Sequence, residues 1–501
     1  MEMERSCEIG MEIDRSMALD KPREECGVFG IYAPEGAEVA KDIYYGLLSL
    51  QHRGQEAAGI AVSDTHGKMG NICLKKGMGL VSEVFSADAL GNMHGNLGVG
   101  HVRYSTTGGS VPENAQPISM SYIKGSLSLV HNGNLVNAAS LKKEQMYRGQ
   151  AHFTTSDSEV LAYEIISERL QTTSIEEAVK ATAARIRGGY AVLVMSPRKL
   201  VAVRDPAGIK PLVLGTRGAS YLLASESAAI AAVGGTVLRD IRPGEILAIT
   251  ENGIRSDQSL CGSKAAHCVF EYIYFARSDS AIDGISVREA RFRAGEALAR
   301  ADSVERLAET NGSNLVCLCR DSVEGTAERC FCPDLVCGVP DSGLLAAEGY
   351  ANASGLPLTF VFYKNSYIGR SFIKPTDAER QMAVHMKLSV HGSAVRGKRI
   401  VLIDDSIVRG TTMRQIVSML RAVGAREVHV RISSPPFLYP CFYGTDVHST
   451  KELIAAEHST EEVRERIGAD SLAYLKLEDF SAMTAGLPLC TACFSGNYPV
   501  G

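Results

Sequence analysis

The sequence predicts two folded halves: a layered α+β half followed by an α/β half built on a parallel sheet. Three observations carry that prediction. From Cys26 onward, short strand-like runs follow one another with few crossover helices between them, which is the pattern of layered sheets. Residues 251–264, ENGIRSDQSLCGSK, are polar and contain glycine and serine, as a boundary loop does. Beyond them, residues 399–412 (RIVLIDDSIVRGTT) open on an apolar run, hydrophobic on both faces like a buried parallel strand, and close on a glycine loop and a helical pattern (Met413, Ile416, Val417, Leu420).

The totals fit such a chain and exclude several classes. Its 501 residues, 45% of them apolar, suffice for two to four domains with large cores. The formal charge is 52 − 57 = −5, so no global basic field recruits nucleic acid or an anionic membrane. Thirteen cysteines without a secretory signal argue against an extracellular disulfide framework and for a reducing, cytoplasmic setting. No apolar run approaches the roughly 20 residues that span a bilayer. Residues 1–25 are polar and acidic and lack an apolar signal core, so they read as a disordered tail or a removable leader.

In the first half, Cys26 opens CGVFGIYAP, a short alternating strand. Residues 46–58 (GLLSLQHRGQEAA) read as a helix closed near Gly59. Residues 99–107 alternate like a half-buried strand, and 127–130 form another that runs into His131-Asn132-Gly133-Asn134. By itself Asn132-Gly133 reads as a type I′ hairpin turn. Residues 156–159 (SDSE) form a capping box before an amphipathic helix (Val160, Leu161, Tyr163, Ile165, Ile166, Leu170), and strands follow at 190–195, 200–203, 212–215 and 221–225.

In the second half, 267–280 (HCVFEYIYFARSDS) is dense in aromatics and reads by itself as a core strand; a capping box at Ser286 and Glu289 opens a helix. Residues 336–343 (VCGVPDSG) form a strand ending in a turn, where Ser342 and Gly343 can make an amide nest for pyrophosphate. Residues 363–375 (YKNSYIGRSFIKP) form a loop carrying Lys364, Arg370 and Lys374, with Lys387 further on. Asp404 and Asp405 lie at the carboxyl end of the 400–403 strand, where open α/β sheets bind ligands. The glycine loop and the helix start after them suit an anion. The acids would repel one, so they suit sugar hydroxyls or a hard cation.

Taken in order, CGVFGIY, LQHRGQEAAGIA, GHVRYSTTG, HNGNL and TSDSE resemble the glutamine amidotransferase domain of the N-terminal-nucleophile class, an αββα sandwich. The resemblance implies that the leader is removed at the Glu25–Cys26 bond and that Cys26 is the nucleophile. It gives Asn132 and Gly133 as the oxyanion hole, Arg103 and Asp157 as holders of the substrate glutamine's α-carboxylate and α-ammonium, and His101, Tyr104 and Thr106 as pocket residues. A freed α-amine, with a pKa of roughly 7.7–8.0, is a suitable base beside the thiol.

VLIDDSIVRGTT resembles the phosphoribosyl pyrophosphate signature of type I phosphoribosyltransferases, and the whole set resembles the amidophosphoribosyltransferase family. That implies a leader (1–25), a glutaminase domain (26–262) and an α/β type I phosphoribosyltransferase domain (263–501). Ammonia released from glutamine would displace pyrophosphate from phosphoribosyl pyrophosphate, giving phosphoribosylamine for purine biosynthesis. The implied contacts are Ser406, Arg409, Gly410, Thr411 and Thr412 with the 5-phosphate, Asp404 and Asp405 with ribose and Mg²⁺, Ser342 with the metal, and Asp341, Gly343 and Arg370 with pyrophosphate. Residues 363–375 would act as a lid. A homotetramer inhibited by purine nucleotides is also implied.

Cys490-Thr-Ala-Cys493 alone reads as a redox pair, half a zinc site or packing. In the cluster-containing branch of the family, Cys268, Cys441, Cys490 and Cys493 together would hold a [4Fe–4S] cluster, which needs four thiolates. Residues 311–335, with Cys317, Cys319, Cys330 and Cys332, look like an insertion and read as a plain loop ahead of a zinc site. Three other readings stay open: another glutamine amidotransferase (without the expected 400–412 stretch), a non-enzymatic ligand sensor, and an enzyme limited to free ammonia.

Overall fold

A computed structural model describes residues 25–67, 71–104, 109–262, 264–309, 332–365, 388–445, 447 and 449–500. Thr106, Arg370, Lys374 and Lys387, residues 1–24 of the leader, and Cys317, Cys319 and Cys330 lie outside these residues.

The first half is a sandwich of two antiparallel sheets. One runs Thr236–Asp240, Val213–Arg217, Ser220–Ala224, Gly27–Tyr32, Leu97–Arg103, Ala57–Ser63 and Ile72–Met78. The other runs Gly253–Asp257, Ile246–Thr250, Lys199–Arg204, Gly188–Ser196, Gly125–Leu135 and Ile118–Tyr122. Between them lies an apolar layer that includes Val28, Val99, Val130, Leu193 and Leu247. Both outer faces are apolar as well. Helices Ala40–Ser49 and Ser227–Ala232 cover the first sheet through Ile43, Leu47 and Ile230, and helices Asp157–Gln171 and Ile175–Ala183 cover the second through Leu161, Ile165 and Val179. The Gly27–Tyr32 strand, expected to alternate, and the Leu97–Arg103 strand, expected to be half-buried, are instead buried along their whole length, because the sandwich interior covers one face and helices the other.

The second half holds a parallel sheet in the order Leu335–Gly338, Arg399–Asp404, Glu427–Ile432 and Ser471–Tyr474. Helices Val287–Glu309 and Gly343–Ser354 pack on one face; Thr411–Ala422 and Thr460–Ile467 pack on the other. The first two approach closely because both carry glycine at the crossing. A Cβ on Gly295 would lie 1.8 Å from the Ala346 carbonyl oxygen, and one on Gly349 1.9 Å from that of Phe292.

Several local expectations are corrected. The 46–58 stretch is not one helix: the helix ends at Ser49, a 3₁₀ turn covers Gln51–Arg53, and Ala57 already pairs in a strand. Asn132-Gly133 is no hairpin turn; both residues lie inside the Gly125–Leu135 strand, opposite Ala191 and Tyr190. At Ser156 the side chain accepts from Ser158 N, while Glu159 reaches back to Phe153 N and Thr154 N, so the capping box is not formed. The boundary loop includes a strand, Gly253–Asp257. The aromatic stretch is a two-residue strand followed by a π-helical turn, Glu271–Phe275, whose packing with Phe437 and Phe494 overrides its strand-like composition.

Candidate active site

Cys26 sits at the head of the Gly27–Tyr32 strand. The antiparallel register Gly27↔Val102 puts it beside the end of the strand that carries His101 and Arg103. It is buried, and its thiol donates to the Tyr104 carbonyl at 3.4 Å. Burial pushes the thiol pKa up, against the Arg103 charge, which pulls it down. Arg53, from the 3₁₀ turn, donates through Nε to the Cys26 carbonyl at 3.1 Å. Its other nitrogens meet Glu226 at 2.7 Å and Glu271 at 2.5 and 2.9 Å, so a completely buried guanidinium is balanced by two carboxylates. Sequence reading missed Arg53, although it lies within LQHRGQEAA. It also missed Glu271, whose partner is 218 positions away.

Asn132 is 1% exposed, and its Nδ2 has no hydrogen-bond partner among the described residues. The same holds for His101 Nδ1, on the Leu97–Arg103 strand of the facing sheet, and for His131 Nε2, on the strand of Asn132 itself. Three orphaned buried atoms in one region suit a polar guest, because leaving such groups unmade is costly. Gln116, also missed, fixes the neighbouring backbone by exchanging bonds of 2.7 and 3.2 Å with His131 N and O. His101 Nε2 donates to the His131 carbonyl, 3.1 Å away, and burial lowers its pKa to about 3, so the ring is neutral. Gly133 has φ +137°, and a Cβ there would stand 2.0 Å from the Gly189 oxygen. Asp157 is buried, accepts from Leu135 N at 3.0 Å and lies 3.7 Å from His131. Arg103 is buried and reaches Glu56 at 3.8 Å and the Gly109 carbonyl at 3.4 Å.

In the second half, Asp404 ends the Arg399–Asp404 strand, Asp405 follows it, and both are buried. Asp405 N donates to Asp404 Oδ1 at 2.9 Å. Asp405 accepts the Ser406 hydroxyl at 2.6 Å on one oxygen and the Ser342 hydroxyl on the other, which ties the 339–343 turn to the acidic strand end. Gly410 adopts φ +81° as the N-cap of the Thr411–Ala422 helix, a left-handed turn that glycine supplies without steric cost. Arg409 is paired with Glu452 at 2.6 Å, and Asp341 with Lys364. The Gly343 N–H bonds to the Val339 carbonyl at 3.0 Å, so it is already engaged within the turn. Carboxylates and hydroxyls converging here form a hard-oxygen donor set of the kind Mg²⁺ takes.

A third feature lies at the junction. The pair His267–Cys268 runs parallel to Leu489–Cys490, with Cys268 opposite Cys490. Cys441 and Cys493 line the same cavity, as do Glu25 and Lys210. All four cysteines are free thiols. Burial first, and then the nearby Cys441, pushes Cys490 up to about 11 and Cys493 well above the ordinary thiol range. Among the described residues, no group of three or more His, Cys, Asp or Glu side chains has the spacing of a formed metal site.

A thiol-led sandwich and an acid-ended parallel sheet define a glutamine amidotransferase joined to a phosphoribosyltransferase. Family models agree: a glutamine amidotransferase domain matches residues 101–232, and a phosphoribosyl transferase domain matches 327–433. Amidophosphoribosyltransferase of Bacillus subtilis is 44% identical over 95% of this chain and 94% of its own length; that of Methanocaldococcus jannaschii is 43% identical over 95% and 97%. The solved B. subtilis glutamine phosphoribosylpyrophosphate amidotransferase complexed with ADP and GMP superposes with a TM-score of 0.82 at 42% identity, covering 95% of this chain and 98% of that one. The chain belongs to the amidophosphoribosyltransferase family, a family of glutamine-dependent pentosyltransferases of purine biosynthesis. Among the described residues no helix is long and apolar enough to cross a membrane.

Proposed function

We propose that residues 1–25 are a leader, 26–262 the glutaminase domain and 263–501 the phosphoribosyltransferase domain, and that the two domains act in sequence. Hydrolysis of the Glu25–Cys26 bond frees the Cys26 α-amine. That amine takes the thiol proton as sulfur attacks the glutamine carboxamide. The Asn132 side chain and the Gly133 amide hold the oxyanion, the C–N bond breaks, and the proton leaves with ammonia. Water then hydrolyses the thioester to glutamate. Arg103 and Asp157 hold the two ends of glutamine, and His101, Tyr104 and Thr106 shape the pocket. The observation that supports this most is the buried Asn132 Nδ2, which has no hydrogen-bond partner among the described residues.

In the second domain, Asp404, Asp405 and Ser342 hold ribose hydroxyls and Mg²⁺. Ser406, Arg409, Gly410, Thr411 and Thr412 cradle the 5-phosphate, and Asp341, Gly343 and Arg370 contact pyrophosphate. Ammonia attacks C1 as the C–O bond to pyrophosphate breaks. Bound Mg²⁺ would neutralise charge on that leaving group. The chain's own residues position the sugar and exclude water. Arg409 must exchange Glu452 for phosphate to take its part.

Cys268, Cys441, Cys490 and Cys493 supply four thiolates for a [4Fe–4S] cluster, whose role is structural because neither reaction moves electrons. Cysteines brought from three distant segments to one cavity support this reading. The relative solved with ADP and GMP supports purine nucleotides as ligands of this chain, here taken as inhibitors; the family resemblance further implies a cytoplasmic homotetramer.

Cys26→Ala tests the assignment. It removes glutamine-dependent product while ammonia-dependent product persists, and the wild-type chain, by mass, begins at Cys26. Glutamine-dependent turnover in a chain that still begins at Met1 overturns it.

A further inference from the structure

Lys210 is 1% exposed, and among the described residues its one ion-pair partner is Glu25, at 2.5 Å. Glu25 is also 1% exposed, accepts the Thr445 hydroxyl at 3.3 Å and lies 3.7 Å from Arg53. Burial works against charge on Glu25, yet Lys210 and Arg53 hold it below the usual carboxylate range. The two cations are not equivalent. Arg53 keeps Glu226, Glu271 and the Cys26 carbonyl whether or not Glu25 is present. Lys210 loses its carboxylate when the leader leaves, and a buried ammonium left without a counter-charge is strongly disfavoured.

The surroundings indicate what replaces it. Lys210 lines the cavity of Cys268, Cys441, Cys490 and Cys493, and Glu25 lies in that same cavity. The ammonium is seated against the loop that carries Cys441: a Cβ on Gly444 would lie 2.9 Å from Nζ. Four thiolates make the assembly they bind anionic.

We propose that Lys210 is the counter-charge of the group held by the four cysteines, with Glu25 as its partner until the leader is removed. This rests on the cluster and the processing site proposed above. Lys210 is a positioning and charge-balancing residue; it takes no part in bond making. Removing a positive charge beside the cluster makes reduction harder.

The experiment compares anaerobically purified, full-length wild-type protein with Lys210→Met and Lys210→Arg. Iron, sulfide, N-terminal mass and the cluster reduction potential are measured. Lys210→Met is expected to shift the one-electron reduction equilibrium at least tenfold toward the oxidised form, which is about 59 mV. Lys210→Arg, which keeps the charge, stays close to wild type. If Lys210→Met gives no soluble protein, Lys210→Gln is measured instead. Loaded protein with an unchanged potential in the neutral variant overturns the counter-charge role alone. Wild-type protein without iron and sulfide overturns the cluster reading and this inference with it.

Discussion

Replacing Gly133 with alanine separates the two reactions of the chain. The new Cβ would stand 2.0 Å from the Gly189 carbonyl oxygen and 2.9 Å from Tyr190 Cα, where real Cβ contacts essentially never fall below 3.0 Å. The neighbouring strand must therefore move by 3.0 − 2.0 = 1.0 Å or more, at a backbone with φ +137° that already strains an L-residue. An oxyanion donor works only within about 2.7–3.1 Å of its acceptor, so such a displacement would remove the donor proposed at Gly133, at a cost of about 10²–10³ in kcat, or roughly 2.7–4 kcal/mol. The displaced strand belongs to a different sheet from the one that ends at Asp404, so ammonia-dependent pyrophosphate release should stay within about twofold. The assay follows pyrophosphate with glutamine, then with ammonium, on the same preparation. A Gly133→Ala enzyme that keeps its glutamine rate, or that loses both rates together, would refute the reasoning.

Gly343→Ala should show the contrasting pattern: its Cβ would meet the Ile403 oxygen at 2.5 Å and Asp404 Cα at 3.2 Å, so both routes to pyrophosphate fall while thioester formation at Cys26 persists. Gly349→Ala drives a Cβ to 1.9 Å from the Phe292 oxygen and should destabilise the second half by about 1–3 kcal/mol, read as a lowered Tm by calorimetry. Acid sensitivity should follow His101, whose pKa is about 3 when folded. Between that value and the unfolded pKa of roughly 6.5, the unfolded chain binds a proton that the native chain does not, so stability falls as pH is lowered, by at most about 1.4 kcal/mol per unit. His101→Asn should flatten that slope in denaturant titrations; an unchanged slope would show that His101 does not carry it.

The parts of the fold legible in sequence were those with a local signature. The 400–403 run announced a parallel strand because hydrophobicity on both faces is a short-range pattern, and Gly410 marked the turn before its helix. Gly46–Arg53 misled because leucine spacing continued past Ser49, while the close packing of Gly54 against Arg103 backbone, with a Cβ position 2.7 Å from its nitrogen, required the chain to break there. Asn132-Gly133 misled in the other direction: turn chemistry was present, but eight consecutive pairs with the Gly188–Ser196 strand prevailed. The charged network was illegible. Arg53, Glu226 and Glu271 join across 173 and 218 positions, and Thr445 meets Glu25 across 420, with no periodicity to betray them. The cysteines were legible only through resemblance, since their spacing gives no hint that Cys268 and Cys490 face one another.

Wild-type enzyme supplied with glutamine, phosphoribosyl pyrophosphate and Mg²⁺, with glutamate and pyrophosphate measured together, tests the two-site account most directly. The account predicts that the two products appear in equal amounts. Pyrophosphate released with ammonium but not with glutamine would contradict the coupling of the sites, and none released with either would contradict the proposed chemistry of Asp404 and Asp405.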